Sequence, residues 1–348
     1  MKRIAIDDSI MKVNSPIMKE TEMFNGYISP INAEVITRLE NNGYTVDTLV
    51  STPDFGISSL FSEDNSIPEG VSLVKNDEII ACLYNDLFGE YRRHAAINDL
   101  IYIHPTYGTV SRYGLVPFAP SMDQIGVLCK DIDEGYKILK AISGYDSKDG
   151  VMFSESVSTP KSMVGGIRIA VDESISDSLP LDNICKVSLP HSDIYNEVFT
   201  ILYSAEFSHS TNRYDGVRHG YRSNSATTLE DIYVKSRSEG LSLDVKLMVI
   251  VGSMVLSKDY YNRYYEKAMK IRRIIKEAIT FSNYDVIAIP VKISENNYTN
   301  QSLYAFPLLA GLPSLTFSIK GYGLQLIANS KCEESLLGAY RQLMKELA

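Results

Sequence analysis

The sequence contains no tryptophan, only four cysteines and five histidines in 348 residues, and fewer basic than acidic side chains. Cys82, Cys129, Cys185 and Cys332 lie far apart with no C-x-x-C pair, a pattern that argues against a zinc site and against a secreted disulfide framework. Reduced thiols and a cytoplasmic location are the expectation. His94, His104, His191, His209 and His219 show none of the short spacings that put two imidazoles on one metal, so no metal is expected. His191 and His209 read as structural hydrogen-bonders. Thirty-four Lys and Arg against 43 Asp and Glu leave a formal charge of −9, which removes the driving force for non-specific phosphate binding, so no direct nucleic-acid partner is expected. No window offers the roughly eighteen uncharged apolar residues of a membrane span, and Asp7 and Asp8 interrupt the first apolar run, so neither anchor nor signal peptide is predicted. Lone glycine pairs such as Gly321 and Gly323 mark turns, since no strand, GxGxxG and helix accompany them; no nucleotide site and no cofactor follow.

What is present is an ordinary globular composition, 45% hydrophobic and 22% charged. At about 150 residues per domain the length suits two domains or one large α/β domain. Residues 3 to 6 read as a short buried strand that begins almost at the first residue, as though something had been trimmed from the front. Asn32 is placed to cap a helix carrying Val35, Ile36 and Leu39, with Gly43 closing it in a left-handed turn before the alternating strand YTVDTLV. This strand, helix, strand order predicts parallel pairing with right-handed crossovers. Asp131 and Glu134 form a capping pair for a helix with Ile132, Tyr136, Leu139 and Ile142 on one face, ending near Gly144.

Residues 145 to 165 are polar, serine-rich and aperiodic, a loop or linker inside one fold or between two lobes; the first is preferred, since the later segments still need sheet partners. A long helix is predicted over Ser257–Ile279, with Tyr261, Tyr264, Tyr265, Ala268, Ile271 and Ile275 on the buried side and Lys267, Lys270, Arg273 and Lys276 opposite. The tyrosines of DYYNRYYEKA are accordingly expected in the core. The strand DVIAIP follows, then LTFSI and LQLIA as a hairpin, then a C-terminal helix rich in Leu and Glu.

The block HPTYGTVSRYGLVPFAPSMDQIG at 104–126 resembles the amidase signature family, and within it the A subunits of the glutamyl-tRNA(Gln)/aspartyl-tRNA(Asn) amidotransferases. The resemblance continues through VSLPHSDIY at 187, SAEFSHSTNRYDGVRHGYR at 204, KSRSEG at 235, DYYNRYYEKAMKIRRIIKEA at 259 and LLAGLPSLTFSI at 308. It implies an α/β fold, a mixed central sheet sandwiched by helices, as a single domain over 1–348, trimmed at the N-terminus and in a peripheral crossover between 167 and 187. In its active members this family is expected to hydrolyse glutamine with a Ser, cis-Ser, Lys triad and pass ammonia to a partner protein. That chemistry needs a serine nucleophile, a relay serine, a neutral lysine as base, and backbone amides for the oxyanion.

Set against the family motifs, these parts are missing. The strand-end lysine of IAIKDN falls on Asp7, followed by Asp8. The DTGGSIRQPAAF segment matches a stretch beginning at Asp86, which puts Glu90 at the nucleophile and Phe88 at one of the two glycines that shape the oxyanion turn. Ser66 and Ser72 are the candidates for the relay serine, neither in a clear register. The aspartate that the family uses for the glutamine amino group falls on Ser302, whereas Arg272 and Tyr221 retain the family's residue types.

Three functions remain open on this reading. The preferred one is a catalytically degenerate protein of the amidotransferase A type, a pseudo-amidase acting as a scaffold or binding component, with no catalytic residue of its own. Another is an enzyme rebuilt on the carboxylates Asp7, Asp8, Asp86 and Glu90, which if crowded together would raise one another's pKa values or recruit a cation. The blander account of those carboxylates is drift within a partly filled cleft, with Arg92, Arg93 or lysines neutralising them. The third function is a non-hydrolytic component of a variant tRNA-dependent amidotransferase. A protein partner, B-like or C-like, or a second copy of the chain is expected, and no membrane.

Overall fold

A computed structural model of the chain describes residues 2–57, 66–154, 166–175, 185–291 and 297–346, with the side chains of Pro53 and residues 297–303 outside that description. The strand signals of the sequence converge on one sheet. Its ten strands are β1 (Lys2–Asp7), β2 (Tyr44–Val50), β3 (Ala81–Asn85), β4 (Ile101–His104), β5 (Ile125–Cys129), β6 (Ile169–Asp172), β7 (Cys185–Val187), β8 (Val286–Val291), β9 (Ser314–Ile319) and β10 (Tyr322–Ala328), in the order 2-1-3-5-4-9-10-8-6-7. β1 pairs parallel with both β2 and β3, and β6 pairs parallel with β7 and β8; the pairings between them are antiparallel, so the sheet is mixed.

Period-two side chains divide between the two faces. Ile4 and Ile6 of β1 pack with α1 (Glu34–Asn41), α4 (Ile132–Ile142) and α10 (Glu333–Glu346) on one face, while Ala5 packs on the other with α2 (Glu69–Lys75) and α3 (Glu90–Ile97). The rest of that second face, through Ile287, Ile289 and Ile327, is covered by a helical layer of α5 (Tyr195–Thr211), α7 (Leu243–Val255), α8 (Tyr265–Ala278) and α9 (Asn297–Ala310). Between α5 and α7 lies α6 (Leu229–Gly240). The strand, helix, strand unit at the start is parallel as expected, and the β9–β10 hairpin turns through Lys320 and Gly321, both at positive φ (48° and 82°), the backbone that a two-residue hairpin turn requires. Among the described residues no helix is long and apolar enough to cross a membrane.

Several local expectations are corrected. Asn32 does not cap α1: Ala33 is the N-cap, and Asn32 Oδ1 instead accepts the Val13 N–H at 2.8 Å, holding the preceding loop. Asp131 does cap α4, accepting from Asp133 N and Glu134 N, but the Glu134 carboxylate is drawn away to Lys2 and Tyr44 rather than closing a capping box. The helix predicted from Ser257 starts at Tyr265; Ser257–Tyr264 winds as successive turns, consistent with the poor helix propensity of its Ser, Asp, Asn and Tyr residues. Tyr260 and Tyr261 consequently lie on the surface, each tilted against the ring four residues ahead, and are not core residues. His191 and His209 are exposed, and the buried histidines are His94 and His104. Of the loop expected at 145–165, residues 145–154 form turns and 155–165 lie outside the described residues.

Candidate functional site

The parallel strands β1 and β3 end side by side at Asp7 and Asn85, and the C-terminal ends of parallel strands are where α/β sheets place their sites. Asp7 is buried. Its Oδ1 accepts both the backbone N–H of Ser9 (2.8 Å) and the Ser9 hydroxyl, and its Oδ2 accepts the N–H of Asn85 at 2.9 Å. Burial pushes its carboxyl up to about 6, against the pull of those three donors, each of which favours the charged form. Asn85 passes the network on: its Nδ2 donates to Asp123 Oδ1 at 2.9 Å, and its Oδ1 accepts from Gln124 N at 3.1 Å. Asp123 also receives Phe118 N (3.0 Å) and Ala119 N (3.2 Å), and burial likewise pushes it up to about 6. Two buried carboxyls are thus bridged by one residue at the foot of the sheet.

Asp8, in the turn just past the end of β1, has its own partners. Its oxygens accept Lys19 N at 2.9 Å and Thr52 N at 2.8 Å, which tie down two loops, and burial raises its pKa. Asp86 turns toward α3, where its Oδ2 accepts Arg92 N (3.0 Å) and Arg92 Nε (2.9 Å) in an ion pair with both side chains out of solvent. The guanidinium continues to Asp86 O (3.0 Å), Tyr304 O (2.9 Å) and Gln325 Oε1 (3.4 Å), and lies over the Tyr304 ring with 4.9 Å to its centre. Arg92 therefore joins the β3–α3 turn to α9 and β10.

The turn Asp86–Glu90 keeps one glycine. Gly89 sits at φ 76°, and a Cβ there would lie 2.3 Å from the Tyr304 ring, so the position needs glycine on two counts. Phe88, just before it, packs edge-on against Tyr203 and Phe199 with centroids 4.8 and 5.8 Å away. Glu90 opens α3, half-buried. Thr52, Asn85, Asp86, Phe88, Glu90 and Phe118 bound a cavity of only ≈ 10 Å³. A single water needs about 10–15 Å³ measured that way, so the cavity holds no substrate in this conformation.

The structure thus brings Asp7, Asp86 and Glu90 to one end of the sheet, with the carboxylates of Asp7, Asp8 and Asp86 each held by their own donors. Tyr221 and Arg272 are not among the residues that line that cavity. The Tyr221 hydroxyl donates to Glu239 Oε2 at 2.9 Å. Arg272 of α8 is spent on Leu309 O (2.8 Å), Ser121 Oγ (2.7 Å) and Ser121 O (3.0 Å), and Ser121 in turn donates to Glu206. Ser302 falls on α9 with its side chain outside the described residues. Ser72 lies within α2, its N–H bonded to Pro68 O, and Ser66 is exposed beside a segment outside the described residues.

Among the described residues no group of three His, Cys, Asp or Glu side chains is arranged to hold a metal. Sequence reasoning missed Asn85 and Asp123, although Asp123 stands in the SMDQIG block; what was lacking was the long-range pairing that puts β5 beside β3.

A family described as Amidase matches residues 85–310. The chain is similar to the A subunit of the glutamyl-tRNA(Gln) amidotransferase of Listeria monocytogenes, 33% identical over 96% of this chain and 81% of the relative. It is also similar to the A subunit from Chlorobium luteolum, 30% identical over 98% and 83%. Among solved structures, the corresponding A subunit from Thermotoga maritima superposes with a TM-score of 0.71 at 22% identity, covering 96% of this chain and 81% of that one. A peptide amidase from Stenotrophomonas maltophilia superposes at 0.74 and 18%, covering 99% and 82%. These structural likenesses fall below 25% identity and show the shared fold.

Proposed function

The chain belongs to the amidase signature family, and from that premise we propose that it is a protein of the amidotransferase A type without glutamine hydrolysis, working as a binding or scaffold component. The observation that carries this reading is the end of β1 and β3. Where the resemblance expects a lysine base and a serine nucleophile stand Asp7, engaged by three donors, and Glu90, beside a cavity of ≈ 10 Å³. Phe88 in place of a glycine supports it further, since a bulky residue restricts the backbone that must bend tightly to present amides to an oxyanion. The relatives are by name subunits, which favours a protein partner; B-like and C-like proteins are the candidates, and a second copy of the chain is the alternative.

A second reading, a rebuilt acid–base enzyme, draws on Asp7 and Asp123, two carboxyls pushed up to about 6 and so able to exchange protons near neutrality. The closed cavity beside Glu90 speaks against it, because it admits no substrate, and the ≈ 180 Å³ pocket that Asp123 borders with Arg112 and Asp149 is not lined by Asp7.

The test is ammonia release from glutamine and from asparagine by the purified chain, by itself and with candidate partner proteins. No release above the buffer rate is expected. Turnover that disappears in Asp7→Ala or Glu90→Ala overturns the proposal in favour of the second reading.

A further inference from the structure

A much larger cleft, ≈ 460 Å³, opens between the Glu22–Phe24 turn and the loop Arg213–Gly220 and shares no lining residue with the closed cavity. We propose that this cleft binds a small organic anion, a carboxylate or phosphate carried on an aromatic or branched apolar body. The volume lies within the ~300–1,000 Å³ usual for small-molecule sites. Its floor is apolar and soft, formed by Met11, Met23 and Phe24 with Val116, and thioethers beside an aromatic ring suit a flat apolar guest. Its rim carries Arg213, Arg218 and His219.

The charge at this rim is uncompensated. Arg213 donates its Nε to Ser210 O at 3.0 Å, which leaves its terminal nitrogens free of any carboxylate among the described residues. Arg218 has no side-chain partner there, and no Asp or Glu lines the cleft. The nearest acid in sequence, Asp215, spends an oxygen on the backbone N–H groups of Val217 (2.8 Å) and Arg218 (3.2 Å). In a chain of net charge −9, two guanidinium groups at the mouth of an apolar cleft with no acid among its lining residues make a local field that selects anions. Glu22, outside that lining, accepts from Asn25 Nδ2 at 3.2 Å.

The loop that holds the arginines is also fixed. Gly216 N donates to His219 O at 3.0 Å, and Tyr221 N donates to Met23 O at 2.9 Å, which ties one wall of the cleft to the other. Gly216 and Gly220 sit at φ 74° and 82°; a Cβ on the first would lie 2.4 Å from Ser236 Oγ and on the second 2.5 Å from Met23 Sδ. Both the backbone and the close approach require glycine, so the arginines are presented by a pre-shaped loop and little ordering opposes binding. The proposal is independent of whether the family's hydrolysis is lost.

Calorimetric titration of the whole chain with 2-naphthoate, 2-naphthyl phosphate and the uncharged 2-naphthylmethanol tests it. At least one anion is expected to bind, with the alcohol about 10-fold weaker or worse, since a charge-assisted hydrogen bond is absent. Arg218→Gln and Arg213→Gln, both at exposed positions, are each expected to weaken the anion by about 10-fold while leaving circular dichroism unchanged. A preference for naphthoate or for the phosphate identifies which anion the rim fits. No heat with either anion at millimolar concentration, equal affinity for the alcohol, or unchanged affinity in the double Arg variant overturns the proposal.

Discussion

Arg92→Met isolates the interaction that most directly joins the site region to the rest of the fold. The substitution keeps an unbranched apolar chain in the space but removes four bonds, to Asp86 Oδ2, Asp86 O, Tyr304 O and Gln325 Oε1. Asp86 keeps only backbone donors, and because both partners are out of solvent the remaining carboxylate cannot recover its hydration. Breaking one side of a buried pair costs about 3–5 kcal/mol, against a total stability of roughly 5–15 kcal/mol for a folded domain. At a urea m-value of about 3 kcal/mol per molar the midpoint falls by up to about 1.7 M. Circular dichroism with tyrosine fluorescence follows the transition, since the chain has 23 tyrosines and no tryptophan. Asp86→Asn is expected to be costly in the same way, by leaving a buried cation. The double variant removes both charges, so it should lose less than the sum of the two single losses by about 2 kcal/mol or more, the coupling expected of contacting charged partners. Losses that simply add would refute the reasoning, because they would mean that the two groups do not depend on each other for compensation.

Further outcomes follow from the same structure. Asp7 and Asp123 titrate near 6 when folded against an ordinary value of 3.8, so between about pH 4 and 6 the folded chain holds protons that the unfolded chain has released. The contribution of these two groups to stability therefore grows as pH falls through about 6, and is complete below about 4; urea midpoints across that range should show it, and Asp123→Asn should flatten it. Asp285, which Arg168 holds below its ordinary range, acts in the opposite sense, and its contribution is lost only as pH falls below about 4. Gly252→Ala should lower the thermal midpoint by the equivalent of about 1–3 kcal/mol, because its Cβ would lie 1.9 Å from Ser204 O where α7 crosses α5; an unchanged midpoint would mean that the two helices can separate freely.

The periodic parts of the fold were legible in the sequence because their physics is local. Alternation in YTVDTLV, the 3.6-residue spacing of Ile132, Tyr136 and Leu139, and Gly43 at φ 81° each follow from side chains within a few residues of one another. The fold class was legible too, through long motif blocks such as HPTYGTVSRYGLVPFAPSMDQIG. The cap at Asn32 and the start of α8 were misread because a competing partner decided the first and weak propensities left the second to its surroundings.

The sequence by itself determined the residue types, aspartate at 7, phenylalanine at 88 and glutamate at 90, whatever surrounds them. Only the tertiary structure decided what those residues do. Asp7 meets Asn85 across 78 positions, Asn85 meets Asp123 across 38, and Arg92 reaches Tyr304 across 212. Whether a carboxylate faces a cation, a backbone amide or an open cleft depends on such distant pairings. Hydrogen bonding and desolvation act over a few ångströms of space, and the order of residues along the chain does not specify those distances.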